Sequence, residues 1–580
     1  MRLRLAALSL PLVVAGCVTT APPAPAPAPA APTAGATPTA LGDPDLVGRY
    51  QATITPGELA GLLYTYADDY LAGRDTGEPG QRFAADFLAG QYAAMGIGPK
   101  GSDADAGNYG LAPYKQTFDL VGDRTARASL RATGPDGALF TSEAGAAFDG
   151  TSFLDRGEAQ TVEPARVVFG GFGVQTDRYD DVSPLSDRDL RGAWLVLLGG
   201  DPTGPDGRSL ATEDGAVSRW GANDFRKAAA LLRRGNQQYG LAGILIVSPD
   251  AVLVREGAEV RAQRVENLGL PTAEGAGSGS VFPPVFTVTP DVADALLAPS
   301  GRTVGQLREA ALDGSVAQAF ELEGVRLAAE IERQRGTVET ENVVAFVEGS
   351  DPALRDEVVV ISAHLDHVGE GGDGPDTIYN GADDDGSGTV SILEIAEAFQ
   401  AAKADGHGPR RSVLFLHVTG EERGLLGSAY YADVDPRVPI ENTAANLNID
   451  MIGRYDPERG FDTTDYVYII GGDLISQDLS DWNAAVNGAT GTGLFLSDKF
   501  NSPDDPNQFF RRSDHWNFGK YDVPFIFYFT GTHEDYHGVG DSADKIDYDR
   551  MARIGRLVFG TAWELANRDE RPAVSGVGFN

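Results

Sequence analysis

Three consecutive carboxylates, Asp383, Asp384 and Asp385, sit inside the glycine-laced stretch NGADDDGSG at residues 380–388. Neighbouring like charges disfavour one another's ionised form, so a fold that holds the three together must either leave them in water or offset their repulsion. A solvated acidic loop is the plain reading of such a run, and a bound cation is the sharper one. The histidines bear on the choice. All seven, His364, His367, His407, His417, His515, His533 and His537, follow residue 363, and residues 126–325 contain none. Imidazoles and carboxylates without thiolates suit zinc, with cobalt or manganese as substitutes. A calcium loop through Asp383, Asp385, Ser387, Gly388, Thr389 and Glu394 is the rival. That motif needs an entering helix, and GEGGDGPDTIYNGA before Asp383 cannot form one.

The elements around these residues point to one edge of a sheet. DEVVVISAHLDH reads as a strand that delivers His364 and Asp366 at its carboxyl end. The acidic turn follows, then the helix TVSILEIAEAFQAA with Val390, Leu393, Ala396 and Phe399 along one face. RSVLFLHVTGEER is a buried strand by its continuous apolar run, with Glu421 and Glu422 just beyond it. NLNIDMIG carries Asp450 near a strand end, and VPFIFYFTGTHEDYHGVGD ends in a loop with His533, His537 and Asp541. Strands alternating with helices predict a mostly parallel sheet covered on both faces, and such sheets build their sites at the carboxyl ends of their strands.

The rest of the chain sets the context. At 580 residues it is too long for one ordinary domain. Its 47 Lys and Arg against 84 Asp and Glu leave a net charge of -37, which argues against a nucleic-acid partner. The start, MRLRLAALSLPLVVAGCVTT, has two arginines, an apolar run too short to span a bilayer and small residues, the pattern of an export signal over residues 1–17. Val14-Ala15-Gly16 before Cys17 resembles a bacterial lipobox, and Cys17 is the only cysteine. The expectation is a bacterial lipoprotein anchored through Cys17 on a periplasm-facing outer membrane or the cell surface. Residues 18–45 read as an Ala/Pro tether. Helical patterns fill 46–125, short strands and glycine turns fill 126–325, and the alternating block runs over 326–570 with a tail at 571–580.

In this order, AHLDH, NGADDDGSG, TGEERGLLGS, NIDMIG and DYHGVGDS resemble the motifs of the dinuclear zinc peptidase family that includes bacterial and vacuolar aminopeptidases, glutamate carboxypeptidase and the transferrin receptor. Residues 126–325 resemble the protease-associated domain that many members carry as an insertion. The resemblance implies an α/β core with a mostly parallel sheet sandwiched by helices and an inserted β-rich domain. It implies two Zn2+ bridged by Asp384, one shared with His364 and Asp450, the other with Glu422 and His537. Asp366 would accept the proton of the other ring nitrogen of His364, and Glu421 would take a proton from water and return it to the leaving amine. Tyr528, Tyr536 and His515 are candidate donors to the developing oxyanion, while His367, His407, His417 and His533 read as structural or surface residues. The expected substrates are peptides, cleaved by an aminopeptidase. A carboxypeptidase of the glutamate type, using Arg454, Arg511 or Arg512, and a receptor without activity are the alternatives.

Overall fold

In the computed structural model, four parallel strands form the centre of the carboxyl-terminal sheet, in the order Ser412–Val418, Val358–His364, Thr443–Ile449 and Phe525–Phe529. Every residue of all four is buried, as their apolar runs require of strands covered on both faces. Antiparallel strands flank them: Phe320–Val347 beside Ser412–Val418, and Tyr466–Gly471 beside Phe525–Phe529. Residues 42–576 are described, except 103–109, 145–147, 150–158, 187, 219, 222–223, 225–226, 233–239, 250–253, 255–264, 272–282, 313–318 and 372–375. The expected signal peptide, Cys17 and nearly all of the tether therefore lie outside the described residues. Among the described residues no helix is long and apolar enough to cross a membrane.

One hydrophobic core joins the amino-terminal helices to this sheet. It includes Leu59 and Leu63 of Pro56–Tyr66, Leu88 and Tyr92 of Pro79–Met95, Val359 and Ile361 of the His364 strand, and Leu557 of the last helix, Tyr548–Asn567. The helix Gly388–Ala404 follows the acidic turn. Its sequence predicts one apolar face, yet Ile392, Ile395, Ala398 and Ala402 are buried as well as Val390, Leu393, Ala396 and Phe399, because Pro56–Tyr66 and Tyr548–Asn567 both pack on it. The helix Pro56–Tyr66, in contrast, stops at Tyr66, and the chain turns tightly through Ala72 and Gly73, both at positive φ. That turn aims Arg74 inward. The buried guanidinium donates to the carbonyls of Leu365 (3.1 Å), Tyr66 (3.2 Å), Asn380 (2.6 Å) and Gly381 (2.9 Å), tying the loop after His364 to the acidic turn.

Beyond Phe320–Val347 the same sheet continues as a second parallel run, Gln160–Phe169, Trp194–Leu198, Gly243–Val247 and Val285–Val288. Its side chains alternate between two apolar clusters, Trp194, Val196 and Leu245 on one face and Leu195, Leu197 and Ile244 on the other. Two long strands connect the regions, Lys115–Gly134 and Phe320–Val347, paired antiparallel from Val343↔Lys115 to Arg326↔Thr133. The boundaries expected at 125/126 and 325/326 fall within these strands, so the ladder runs unbroken from one core to the other.

Glu394 offers a check on this packing. It is 4 % exposed, and burial, with Glu58 and Glu397 nearby, pushes its carboxyl up to about 8. A carboxyl whose folded pKa is raised holds its proton more tightly folded than unfolded, so its contribution is lost as pH climbs from the ordinary carboxylate range toward that value. Glu394→Gln should therefore raise the thermal midpoint at about pH 8 and leave it nearly unchanged at about pH 4.5. An equal shift at both pH values would contradict the burial assigned to Glu394.

Candidate metal centre

His364 closes its strand directly opposite Val418, so the loop carrying Glu421 and Glu422 begins beside it. Its Nδ1 lies 3.0 Å from the backbone carbonyl of Asp366. A carbonyl only accepts, so Nδ1 carries the proton and Nε2 keeps its lone pair. That Nε2 is 3.2 Å from Asp384 Oδ1 and 3.8 Å from Asp450 Oδ1. On the other side of Asp384, His537 Nε2 is 3.0 Å from Asp384 Oδ2 and 3.1 Å from Glu422 Oε2. The five residues expected to hold metal thus meet in two groups that share Asp384.

The adjacent glutamates point apart. Glu421 offers an oxygen that groups with His364 and Asp450, whereas Glu422 groups with Asp384 and His367, the atoms of each group lying within 4.8 Å of one another. Burial opposes protonation of His364, but Glu421, Asp384 and Asp450 outweigh it and push its pKa well above the ordinary range. Burial likewise opposes a charge on His537, and Glu422 and Asp384 overcome it, pushing it up to about 10. A field that draws protons onto imidazoles also draws dications, which take the same lone pairs and displace those protons. Several buried atoms have no hydrogen-bond partner: Asp384 Oδ2, Glu422 Oε1, His537 Nε2 and both ring nitrogens of His367. Buried polar atoms are ordinarily paired, so donors of this chemistry, unpaired and facing one another, fit zinc.

The outer acids of the turn are anchored by backbone. Asp385 accepts from the N–H groups of His364 (3.2 Å), Gly388 (2.8 Å) and Met451 (3.2 Å). Asp383 Oδ1 accepts from Gly453 N (2.6 Å), and its Oδ2 is 3.3 Å from His533 Nε2. Asp541 accepts from the N–H groups of Asp383 and Asp384. This disposes of the calcium loop: Asp383 and Asp385 are bound elsewhere, and Glu394 faces Glu58 and Glu397. Gly381 makes the turn possible. It sits at φ 57, and a Cβ there would lie 2.3 Å from the carbonyl oxygen of Asp384 and 2.5 Å from His367 Cγ.

Two expectations need correction. The carboxylate of Asp366 is 3.9 Å from His364 Nδ1, too far for a hydrogen bond. It accepts instead from Thr76 Oγ1 (2.8 Å) and from the backbone N–H of Glu421 (3.2 Å). Asp366 orients His364 through its main chain and the Glu421 loop through its side chain. His367 is neither at the surface nor remote: it is fully buried, with Nδ1 2.9 Å from Glu422 Oε1 and 3.7 Å from Asp384 Oδ2. Its place directly after Asp366 carries no spacing signal that would have separated it from a packing histidine.

The remaining candidates sort by their surroundings. His417 meets Tyr92 Oη at 2.7 Å and His515 meets the carbonyl of Phe510 at 3.0 Å; burial pushes both pKa values down to about 3, so both are neutral packing residues. His407 is exposed beside Tyr50. Tyr528 is buried and donates to Asn483. Tyr536 stacks on His537 and lines the cleft with Asp384, Glu421, Glu422, Asp450, Met451, Phe509, Arg512, Phe527, Phe529 and Thr532. Arg454 is committed to Glu534 (3.2 Å) and Asp535 (3.1 Å), and Arg511 packs over Phe510 and Trp516.

Comparison with known proteins places this centre in a class. Residues 342–562 match the model of Peptidase family M28. A probable zinc metalloprotease of Pyricularia oryzae is 29% identical over 267 residues, covering 40% of this chain and 50% of that protein. Aminopeptidase YwaD of Bacillus subtilis is 25% identical over 222 residues, 37% of this chain and 43% of that one. The chain spans about half the length of the curated relatives it matches. The solved aminopeptidase from Aneurinibacillus sp. strain AM-1 is 18% identical, with a TM-score of 0.48, covering 92% of this chain and 98% of that one.

The corrected role of Asp366 is testable. Asp366→Ala should lower turnover on the order of 10- to 100-fold by loosening the Glu421 loop, while zinc affinity falls far less than in His364→Ala. Equal losses of zinc affinity in the two variants would show that the carboxylate acts through His364 after all.

Proposed function

We propose that the chain is a dinuclear zinc metallo-exopeptidase, an aminopeptidase, that hydrolyses peptide bonds at free amino termini. The observation that supports this most is the meeting of His364, Asp384, Glu422, Asp450 and His537 around a shared carboxylate, with Glu421 at the same cleft and outside the bridging set. Zinc bound by these residues supplies Lewis acidity that lowers the pKa of water toward neutrality. Glu421, its backbone held by Asp366, takes the proton of the attacking water and returns it to the leaving amine. Burial pushes the Glu421 carboxyl up, helped by Glu422 and opposed by His364, the direction suited to a group that must hold a proton. Tyr536 is positioned to donate to the carbonyl oxygen as it gains charge.

The cleft supports the choice of substrate end. Glu421, Glu422, Asp384 and Asp450 favour an ammonium, and Met451, Phe509, Phe527 and Phe529 offer an apolar surface to the side chain beside it. One observation favours the carboxypeptidase reading: Arg512, exposed and stacked 4.9 Å over Phe509, lines the same cleft. For a receptor-like role the ligands and base would be expected to be lost, and each is present here.

Residues 126–325 act in this proposal as a protease-associated domain that narrows access. Glu266–Leu268 of the inserted region and Arg423, the residue after Glu422, are among the residues that line a cavity of about 460 Å³, and Arg423 is paired to Asp75. In this proposal the inserted region stands beside the loop that carries Glu421 and Glu422 and limits entry to short peptides or chain ends. The export signal and lipobox complete the proposal with a lipid anchor at Cys17. Cys17→Ser should abolish incorporation of labelled fatty acid, and labelling that persists in the variant would remove the anchor.

The catalytic proposal is tested with zinc-reconstituted protein and peptides whose amino or carboxyl ends are free or blocked. Cleavage should require a free amino end. A requirement for a free carboxyl end, lost in Arg512→Ala, would establish the alternative. Glu421→Gln should keep both zincs and lower turnover on the order of 10²- to 10⁴-fold, whereas Glu422→Gln should weaken zinc binding first. The reverse pattern would exchange the two roles.

A further inference from the structure

The expected ligand set gives each cation one imidazole. We propose that His367 is an additional ligand, so that the cation held by Asp384, Glu422 and His537 has four protein donors while the one at His364, Asp384 and Asp450 has three. This rests on the two-zinc reading and goes beyond its five ligands.

Three observations carry it. The first is position: His367 Nδ1 is 2.9 Å from Glu422 Oε1 and 3.7 Å from Asp384 Oδ2, and His537 Nε2 lies at 3.1 and 3.0 Å from the second oxygen of Glu422 and from the same Asp384 Oδ2. Two imidazole nitrogens therefore approach the same pair of carboxylates, sharing Asp384 Oδ2 and taking one oxygen each of Glu422. The second is the state of the atoms. The approach of Nδ1 to Glu422 is close but not directed as a hydrogen bond, and Nδ1, Glu422 Oε1, Asp384 Oδ2 and His537 Nε2 all lack partners. An outer residue that merely oriented Glu422 would donate a well-aligned N–H to it, and a lone pair aimed at a shared cation needs no such alignment. The third is rigidity. The His367 ring rests against Gly381, where a Cβ would lie 2.5 Å from its Cγ, and its main-chain N–H is bound to the carbonyl of Arg74. The ring of His537 meets it edge to face at 5.6 Å. The imidazole is fixed before any metal arrives.

The consequence is an asymmetric pair. Four protein donors close a zinc site in the manner of structural sites, and three leave a position open, as in catalytic ones. The closed site fills first and releases its cation last. The open site, on the His364 side, shares its carboxylate environment with Glu421, which places the exchangeable position beside the proposed base.

X-ray absorption at the zinc edge tests this on the full chain, loaded with one and then two equivalents of zinc. Wild-type protein should show two imidazoles on the first zinc and three shared between the two zincs at full loading. His367→Ala should show one on the first, and should release that zinc to a chelator at least tenfold faster. One imidazole per zinc at both loadings in the wild type overturns the proposal even if His367→Ala proves unstable, as does a variant whose absorption and release match the wild type. Failure of the wild type to take up zinc at all would instead overturn the two-zinc reading.

Discussion

Asp383, Asp384 and Asp385 are all buried, and burying a carboxylate costs several kcal/mol unless something compensates. The rest of the centre follows from how that cost is met. Three backbone N–H groups bind Asp385 but do not offset its burial, which still pushes its carboxyl well above the ordinary range, and Asp383 is bound by Gly453 and lies beside His533. Asp384 has no backbone donor: its oxygens face His364 and His537, which hold its carboxyl well below the ordinary range against the burial. A carboxylate kept ionised among imidazoles is one that cations could share in place of the protons those imidazoles hold. The turn that presents it depends on Gly381, on Asp541 beneath it and on the Arg74 guanidinium that collects the carbonyls of both neighbouring loops.

The sheet converts this local demand into a site. Parallel pairing of Ser412–Val418, Val358–His364, Thr443–Ile449 and Phe525–Phe529 brings their carboxyl ends to one edge. There His364, the Glu421–Glu422 pair, Asp450 and the His537 loop meet, although these four segments lie far apart in sequence. Because the strands are buried on both faces, register is set by apolar packing, and the polar residues after each strand need only be short loops. The amino-terminal helices complete the same core, and Thr76 and Arg74 carry its rigidity into the loops that hold Asp366 and the acidic turn.

The strand ends were legible because each apolar run stops at the residues that matter, whereas the different roles of Glu421 and Glu422 came from the motif resemblance, since adjacent loop residues can point apart but spacing does not say which faces which. His367 was not legible, since its partner Glu422 is distant in sequence and its burial depends on a glycine at position 381. The carboxylate of Asp366 was misjudged for a related reason: a main-chain carbonyl, invisible to residue type, took the ring proton. The long strand Phe320–Val347 was also not foreseen in its first half, where Glu323, Glu330, Glu332 and Arg333 leave no continuous apolar run. Pairing with Lys115–Gly134, not side-chain character, makes that stretch a strand.

The central claim is that Asp384 is held by two cations at once. Anomalous diffraction at the zinc edge from crystals of zinc-loaded protein tests it most directly. Two peaks should appear, each at about 2.0–2.2 Å from an oxygen of Asp384, one beside His364 and Asp450 and the other beside Glu422 and His537. A single peak, or a pair that leaves Asp384 bound to only one metal, would contradict the account.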